Sequence, residues 1–390
     1  MDILSMFERE PFYDVLFATV RSYYRLVYGA EISVGFNKTD DCRKLYLYFI
    51  PSFIAGKKIT VGMREFLYSE YNIRGSLLKY LLGKIAVFVS TASRGLTAGK
   101  RFFVEPSAAV PEPIFILPCN RAIRFFDFEH DCVDCMVKES YKTDFMENQL
   151  NFRLSADYPF VPRVLEYGPR WYREGIMHGK PLARVRNQLA YEKGTSDALA
   201  YMGVIAKDTI QYIDCGEYTR SLSESIKKML SKLSNGVCVQ ETFAGYIEYA
   251  VCGAEHCSLK VPTVLSHGDL QGGNIWIREN GDTVIYDWET NGRRSVWYDP
   301  ATLLWKLHSG AFAVDVRDMV FKDDRFLIND EKKDYSANQL SAIAFLIILE
   351  NLAFYLTDIL QLPEQLRGQC FQQLSRNLHN RAEMRSSDGA

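Results

Sequence analysis

Two aspartates and an asparagine in the second half of the chain could together bind a metal ion and accept a proton. The loop His267–Asn274 contains three glycines and places Asp269 and Asn274 five residues apart, and Asp287 follows it. Phosphoryl transfer from Mg-ATP to a hydroxyl group uses such a set: one carboxylate receives the hydroxyl proton, while an amide and a second carboxylate hold Mg²⁺. The sequence therefore predicts Asp269 as the proton acceptor, and Asn274 and Asp287 as ligands of Mg²⁺, which prefers oxygen atoms.

The residues around this set predict a strand, a loop and a hairpin that would hold it in place. Val264–Ser266 leads into the loop, the Asn-Gly pair in Glu279–Asp282 is typical of a hairpin turn, and Val284–Tyr286 is typical of a short strand. We expect Glu289 to be a further metal ligand or to support the ligands. His267 is expected to brace the loop rather than to take part in the chemistry.

These motifs resemble those of the aminoglycoside phosphotransferase and choline kinase family, a branch of the protein-kinase-like fold. The family pattern is His-Gly-Asp, four residues, Asn, and then Asp-Trp or Asp-Phe followed by an acid, and every position is filled. Gly268 stands where protein kinases usually carry Arg, and Trp288 with Glu289 stands where they carry Phe-Gly, which favours the small-molecule branch. The resemblance implies an α+β, two-lobed protein-kinase-like fold, with a small β-rich nucleotide lobe and a large helical lobe.

The resemblance places the nucleotide lobe before the loop, and residues 113–177 have a suitable pattern. Five segments predict strands and one predicts a helix: Ile114–Leu117, Ala122–Phe126, Cys132–Val137, Val161–Gly168 and Trp171–Arg173 as strands, and Phe145–Leu154 as the helix. In this order of elements Lys138 would contact the ATP phosphates. Glu147 would be its partner on the helix, with Glu139 as an alternative acid.

A hinge between the lobes is predicted at Glu174–Leu182, where the resemblance implies that backbone groups near Glu174 and Ile176 bind adenine. The turn between the first two strands departs from the family pattern, because it contains Arg121 but no glycine. Two explanations are open: Asn120 and Arg121 replace the glycines with side-chain contacts, Arg121 as a bidentate phosphate clamp, or the turn does not contact ATP.

Asp299 and Pro300 predict the start of a helix, with Asp299 as N-cap and Pro300 at the first helical position. In the resembled family an acid in this region also holds the catalytic loop, so Asp299 has either one role or two. Arg293 and Arg294, which follow the metal-binding aspartate, could recognise an acidic acceptor or belong to the ordinary surface.

The composition favours a soluble protein of a reducing compartment. The 390 residues are 47% hydrophobic and 24% charged, and the net charge of −2 gives no reason to expect binding to nucleic acid. Nine scattered cysteines and an N-terminus without the form of a signal peptide predict a cytoplasmic location, where ATP is available. The apolar run Ala337–Gln361 is interrupted by Glu350 and Asn351 and predicts a buried helix, so no transmembrane segment is expected.

The resemblance covers residues 111–382, divided into a nucleotide lobe at 111–178 and a helical catalytic lobe at 179–382. Residues 383–390 are predicted to be a flexible tail, and residues 1–110 an accessory α/β domain. The proline-rich segment Glu105–Pro113 would join the two parts, or it is a loop inside one domain.

Within residues 1–110, Phe12–Val27 predicts a helix, and Lys44–Ile50 and Ile85–Val89 predict strands. Between Glu70 and Glu105 there are basic residues and no acid. This stretch could hold an anionic acceptor, or it is a solvated face.

Together the motifs predict a phosphotransferase that uses ATP and Mg²⁺ and acts on a hydroxyl group of a small molecule, sugar or glycan. A protein kinase and a catalytically weak kinase-like binding or scaffold protein are the alternatives. Sugar, glycan, amino alcohol and antibiotic acceptors are all open, with a preference for a sugar or glycan.

Overall fold

The computed structural model combines helices with antiparallel sheets, which confirms the predicted α+β class. The described residues are 6–7, 10–49, 52–70, 77–93, 95–106, 114–233, 237–309, 315–327, 334–362 and 364–387. The chain falls into two compact units, Met1–Gly194 with Ile275–Glu289, and Thr195–Asn274 with Thr290–Ala390.

The helices and strands are named in chain order. Those before residue 188 are α1 Phe12–Tyr28, β1 Ser33–Gly35, β2 Arg43–Tyr48, β3 Phe53–Ala55, α2 Val61–Glu70, α3 Leu77–Ala92, β4 Lys100–Glu105, β5 Phe115–Pro118, β6 Ala122–Asp127, β7 Cys132–Val137, α4 Asp144–Ser155, β8 Val164–Gly168, β9 Trp171–Gly175 and β10 Gly179–Pro181. Those that follow are α5 Gln188–Thr209, β11 Gln211–Asp214, α6 Cys215–Leu233, α7 Val237–Ala254, β12 Lys260–Ser266, β13 Ile275–Arg278, β14 Thr283–Ile285, β15 Gly292–Ser295, α8 Tyr298–Trp305, α9 Val316–Lys322, α10 Ala337–Gln361 and α11 Glu364–Ser387.

One nine-stranded antiparallel sheet joins the N-terminal segment, which was predicted to be an accessory domain, to the predicted nucleotide lobe. Its strand order among the described residues is β1-β4-β2-β3-β5-β6-β7-β9-β8. The connecting pair is β3 with β5, where Ile54 lies opposite Ile116 and Ala55 lies opposite Phe115. The compact unit therefore does not divide at residue 110, where the sequence placed a domain boundary. Residues 107–113 of the predicted linker lie outside the described residues.

The two faces of this sheet are covered by different helices, because successive side chains of a strand point to opposite faces. On β6 and β7, Ile123, Phe125 and Met136 pack with the buried side chains of α1. The alternate residues Cys135 and Val137 pack on the other face with α4. We call these the α1 face and the α4 face.

Helix α3 contradicts the prediction of a strand at Ile85–Val89. Five apolar residues in a row fit a buried strand and a helix equally well, and only a longer window separates the two. Leu78, Leu81 and Leu82 precede Ile85 at helical spacing, so the apolar pattern of the whole segment has the helical period.

The second unit is mainly helical, and α10 lies at its core. The helix has the bounds that the sequence predicted, begins with a capping box at Ser336 and Gln339, and contains a long series of buried apolar side chains. It is long and apolar enough to cross a membrane, but most of its apolar window is buried inside the fold. Glu350 interrupts the apolar run because its carboxylate accepts hydrogen bonds from the Tyr218 hydroxyl at 2.6 Å and the Ser295 hydroxyl at 2.7 Å.

The last helix, α11, continues through Ser387. The predicted tail from residue 383 is therefore helical up to that point, and residues 388–390 lie outside the described residues.

Candidate active site

The buried carboxylate of Asp299 holds the loop that contains the predicted catalytic aspartate. Its two oxygens accept the backbone N–H of His267 at 2.7 Å and that of Gly268 at 3.0 Å. The prediction that Asp299 is an N-cap is wrong: α8 begins at Tyr298 with Trp297 as N-cap, and Asp299 lies in the first turn. The other role considered for Asp299, which is to hold the loop, is the one that the structure shows.

Gly268 is required by both the backbone conformation and the space around it. Its φ is +84°, in the left-handed region that favours glycine, and a Cβ there would lie 2.3 Å from the carbonyl oxygen of Thr290. The structure thus supplies a steric reason for glycine at this position.

His267 is fully buried, and two of its hydrogen bonds join it to the loop and to the segment beside it. Its Nδ1 accepts the backbone N–H of Asp269 at 3.2 Å, and its carbonyl accepts the hydroxyl of Thr290 at 3.0 Å. These contacts are those of a residue that supports the loop.

Both oxygens of the Asp269 carboxylate have hydrogen-bond partners within the second unit. Oδ2 accepts from the amides of Gln271 at 2.9 Å and Asn274 at 3.1 Å, and Oδ1 lies 2.6 Å from Nδ1 of His308. The Asn274 amide nitrogen also donates to the carbonyl of Asp269 at 2.9 Å. Because the nitrogen of Asn274 is used in this way, its Oδ1 is the atom that could bind a cation.

His308, in a short 3-10 helix at Leu307–Ser309, is the residue near Asp269 that sequence reasoning missed. Its Nε2 lies 3.1 Å from the hydroxyl of Tyr298, and its ring stacks on Phe354 with centroids 3.8 Å apart. A carboxylate can only accept, so Nδ1 of His308 carries a proton when Asp269 is ionised. The two residues are 39 positions apart, and no local pattern links them; only the fold brings them together.

Arg293, which is exposed, and Arg294 both donate hydrogen bonds within the second unit. Nη1 of Arg293 donates to the carbonyl of Thr263 at 3.0 Å, and Nη1 of Arg294 donates to the carbonyl of Thr290 at 3.0 Å. The Arg294 guanidinium also lies 5.3 Å from the ring of Tyr298. Both arginines therefore help to hold the segment next to the loop.

In the first unit, the β13–β14 hairpin leads to Asp287, as the sequence predicted. Asp287 has a φ of +67°, a left-handed conformation that Asp tolerates better than most residues. The next residue, Trp288, is buried and donates its backbone N–H to Gln149 of α4 at 3.1 Å. The hairpin end is thus attached to α4.

The predicted phosphate clamp and the predicted metal ligand form an ion pair with each other. Nη1 of Arg121 lies 2.9 Å from Oε1 of Glu289, and both side chains are largely buried. The carbonyl of Glu289 also accepts from the Asn148 amide at 3.0 Å. The glycine-free turn between β5 and β6 therefore contacts the segment that follows Asp287 through the side chain of Arg121.

Lys138 pairs with Glu10 rather than with Glu147, which the order of elements suggested. It follows Met136 by two residues, so it continues the α1 face, and its Nζ is buried against Glu10. Glu147 is exposed on α4 and accepts the hydroxyl of Thr143 at 2.5 Å. The prediction used only the order of strands and helices along the chain. The alternation of side chains along the strand places Lys138 on the α1 face, away from Glu147 on α4. A role of either residue in nucleotide binding stays a prediction.

Arg124 is a cation on the α4 face that the sequence did not single out. It lies opposite Cys135 on the neighbouring strand and is partly exposed. No hydrogen bond or ion pair connects its guanidinium to another residue in the described part of the chain. Burial raises the pKa of the Tyr286 phenol, Glu174 raises it further, and Arg124 opposes this, which places the three side chains in one neighbourhood.

The predicted hinge residues have internal partners in the first unit. The Glu174 carboxylate is buried and accepts a hydrogen bond from Nη2 of Arg153, on α4, with an N–O distance of 2.7 Å. The backbone N–H of Ile176 donates to the carbonyl of Asp131 at 3.0 Å. The adenine-binding role of this segment stays a prediction.

Substitution of Gly268 by Ala should lower the melting temperature by several degrees, because the added Cβ is strained at positive φ and collides with a backbone oxygen. Gly273→Ala is the matched control, since that glycine lies in the same loop and a Cβ there would meet nothing within 4 Å. Thermal unfolding followed by circular dichroism measures both. Equal melting temperatures for the two variants would contradict the steric argument.

No family model and no curated protein matches the chain, whereas solved structures do. The chain is similar to a thermostable mutant of aminoglycoside phosphotransferase APH(4)-Ia, with 13% identity and a TM-score of 0.44, over 72% of this chain and 96% of that one. It is also similar to Plasmodium vivax ethanolamine kinase, with 14% identity and a TM-score of 0.43, over 82% and 95% of the two chains. A third similar structure is choline kinase LicA from Streptococcus pneumoniae, with 12% identity and a TM-score of 0.45, over 70% and 96%.

These solved structures carry the family names that the motifs indicated. Because their TM-scores and sequence identities to this chain are low, the activity proposed next rests on the residues of this chain.

Proposed function

We propose that the protein is a phosphotransferase that moves the γ-phosphate of ATP, with Mg²⁺, to a hydroxyl group of a small molecule, sugar or glycan. The observation that carries the proposal is the arrangement around Asp269, where a loop fixed by Asp299 holds one carboxylate and an Asn whose amide oxygen is left for a cation. A cytoplasmic location, where ATP is available, is part of the proposal.

The donor set fits Mg²⁺, which binds oxygen atoms. From the sequence motif, Oδ1 of Asn274 and the carboxylate of Asp287 would hold the ion, and Glu289, whose carboxylate pairs with Arg121, would be a further ligand or would support the ligands. When bound, Mg²⁺ neutralises charge on the transferred phosphate.

Asp269 orients the acceptor hydroxyl and takes its proton. The hydroxyl oxygen forms a bond to the γ-phosphorus, the bond from that phosphorus to the bridging oxygen of ADP breaks, and the proton passes to the carboxylate. Since the transition state requires little covalent chemistry from the protein, most of the acceleration comes from position and charge.

His308 acts as a positioning residue for Asp269. Its Nδ1 fixes one carboxylate oxygen, while the ring itself is fixed by Phe354 and by the hydroxyl of Tyr298. The direction of the carboxylate is thereby set by a side chain as well as by the loop.

We propose Arg124 as a phosphate-binding cation in preference to Lys138. The ammonium of Lys138 is neutralised by Glu10 on the α1 face. Arg124 lies on the opposite face, is partly exposed and has no hydrogen-bond partner in the described part of the chain. A guanidinium in that state is suited to bind a phosphate group.

Asp269→Asn should reduce turnover by about 10²- to 10⁴-fold, the usual contribution of a proton acceptor, and should leave Mg-ATP binding intact. Asp287→Asn should weaken Mg-ATP binding as well as turnover, because it removes a metal ligand. Calorimetric titration with Mg-ATP measures the binding. The release of ADP in the presence of a panel of hydroxyl acceptors measures the turnover. Asp282→Asn is the control, since that residue is exposed in the hairpin turn.

Full turnover by Asp269→Asn would contradict the assignment of Asp269 as the proton acceptor. Failure of the wild-type protein to bind Mg-ATP would favour the alternative of a kinase-like binding protein.

His308→Leu should lower kcat by about tenfold or more with little change in the KM for ATP, because the carboxylate loses a partner that fixes its direction. His308→Asn keeps a donor near the position of Nδ1 and should recover much of the rate. His256→Asn, at an exposed histidine, serves as control. If both His308 variants lost activity in proportion to their loss of thermal stability, the residue would have a structural role only.

Arg124→Gln should weaken Mg-ATP binding about tenfold or more, because a charge-assisted contact is lost. A double variant, Glu10→Gln with Lys138→Gln, removes both buried charges together and should keep its affinity. Arg163→Gln, at an exposed arginine of the same unit, is the control. Calorimetric titration of each variant measures the dissociation constant of Mg-ATP. Weaker binding by the double variant than by Arg124→Gln would instead assign the phosphate contact to Lys138.

A further inference from the structure

Helix α3 presents its most apolar side to the solvent. The large apolar side chains of the helix that are exposed are Leu78, Leu81, Leu82, Ile85, Phe88 and Val89, with exposed fractions of 43% to 68%. They recur at intervals of three and four residues, which places them on one side of a helix. We call this set the α3 stripe. Single exposed apolar residues are common on protein surfaces, but a contiguous patch usually marks an interaction site.

The opposite side of α3 is the one that packs on the protein. Val87 is buried with Met63 and Leu67 of α2, and Ser90 and Thr91 are buried beside it. The Thr91 hydroxyl donates to the carbonyl of Val87 at 2.8 Å, so it needs no partner outside the helix. The helix is therefore attached to the described part of the fold through Val87, Ser90 and Thr91, whereas the side chains of the α3 stripe stay exposed there.

The stretch of sequence that contains the helix is strongly basic. Residues 71–104 contain six Lys or Arg residues and no Asp or Glu, although the whole chain has a net charge of −2. Nζ of Lys84 lies 4.6 Å from the ring centre of Tyr68 and 5.4 Å from that of Tyr80, and the guanidinium of Arg186 lies 4.3 Å from the ring centre of Tyr80. Lys84 is four residues before Phe88 and so borders the α3 stripe, while Tyr80 and Arg186 lie next to it towards the side of the helix that packs on the fold.

We propose that the α3 stripe docks the protein on an anionic lipid surface. An amphipathic helix with a cationic surround lies in the plane of a membrane, with its apolar side among the acyl chains and its cations near anionic headgroups. A second copy of the chain is a poorer occupant, because a symmetric contact through α3 would bring the same cationic segment of both copies together. The inference does not depend on the proposed phosphotransfer.

Vesicle co-sedimentation of the full chain tests the proposal. The protein should bind vesicles in which about a third of the lipid is phosphatidylglycerol, and it should bind pure phosphatidylcholine vesicles far less, because the surface charge supplies part of the attraction. Added salt should release it, since the charge contribution is screened. Leu82→Glu and Phe88→Glu should each weaken binding about tenfold or more, because each removes apolar area from the contact.

Leu165→Glu is the matched control, since Leu165 on β8 is also an exposed leucine, 62% against 55% for Leu82, and receives the same charge. It should bind as the wild type does. Absence of vesicle binding by the wild type, or equal loss in Leu165→Glu, would overturn the proposal. Size-exclusion chromatography that showed a dimer broken by Leu82→Glu, without vesicle binding, would assign the stripe to a second copy instead.

Discussion

The buried carboxylate of Asp299 is the group on which the candidate active site depends. A carboxylate that is removed from water must receive hydrogen bonds, and two backbone N–H groups of the loop His267–Asn274 supply them. The loop turns at Gly268, one of the two donors, whose positive φ favours glycine. The position of Asp269, and through it the contacts of His308 and Asn274, follows from this one interaction.

In the first unit, the alternation of side chains along β6 and β7 determines which charged groups can act together. It places Lys138 on the α1 face with Glu10, and it places Arg124 on the α4 face near Glu174. The α1 face therefore holds the Lys138–Glu10 pair, whereas on the α4 face Glu174 pairs with Arg153 and Arg124 lies nearby. Glu10, which lies just before α1 in the N-terminal segment, is the buried partner of Lys138.

The parts of the fold that depend on local sequence could be predicted, and those that depend on distant contacts could not. Helix α10 and the β13–β14 hairpin lie where the sequence placed them, because a long apolar run and an Asn-Gly turn are strong local signals. Helix α3 was mistaken for a strand, since a short apolar run fits either structure. The Lys138–Glu10 pair joins residues 128 positions apart, and no property of either residue indicates the other. The same holds for His308, which only the packing of its helical segment brings to Asp269.

The continuous sheet has a consequence for how the N-terminal segment before β5 could have been acquired or lost. Without that segment, β5 would become an edge strand with one row of backbone N–H and C=O groups unpaired, and such an edge invites pairing with other chains. The side chains of Ile116, Ile123 and Met136 would lose the cover of α1 at the same time. The strands β5 to β9 therefore share one sheet and one apolar core with the N-terminal residues, which are better regarded as part of the same folding unit than as an attachment to it.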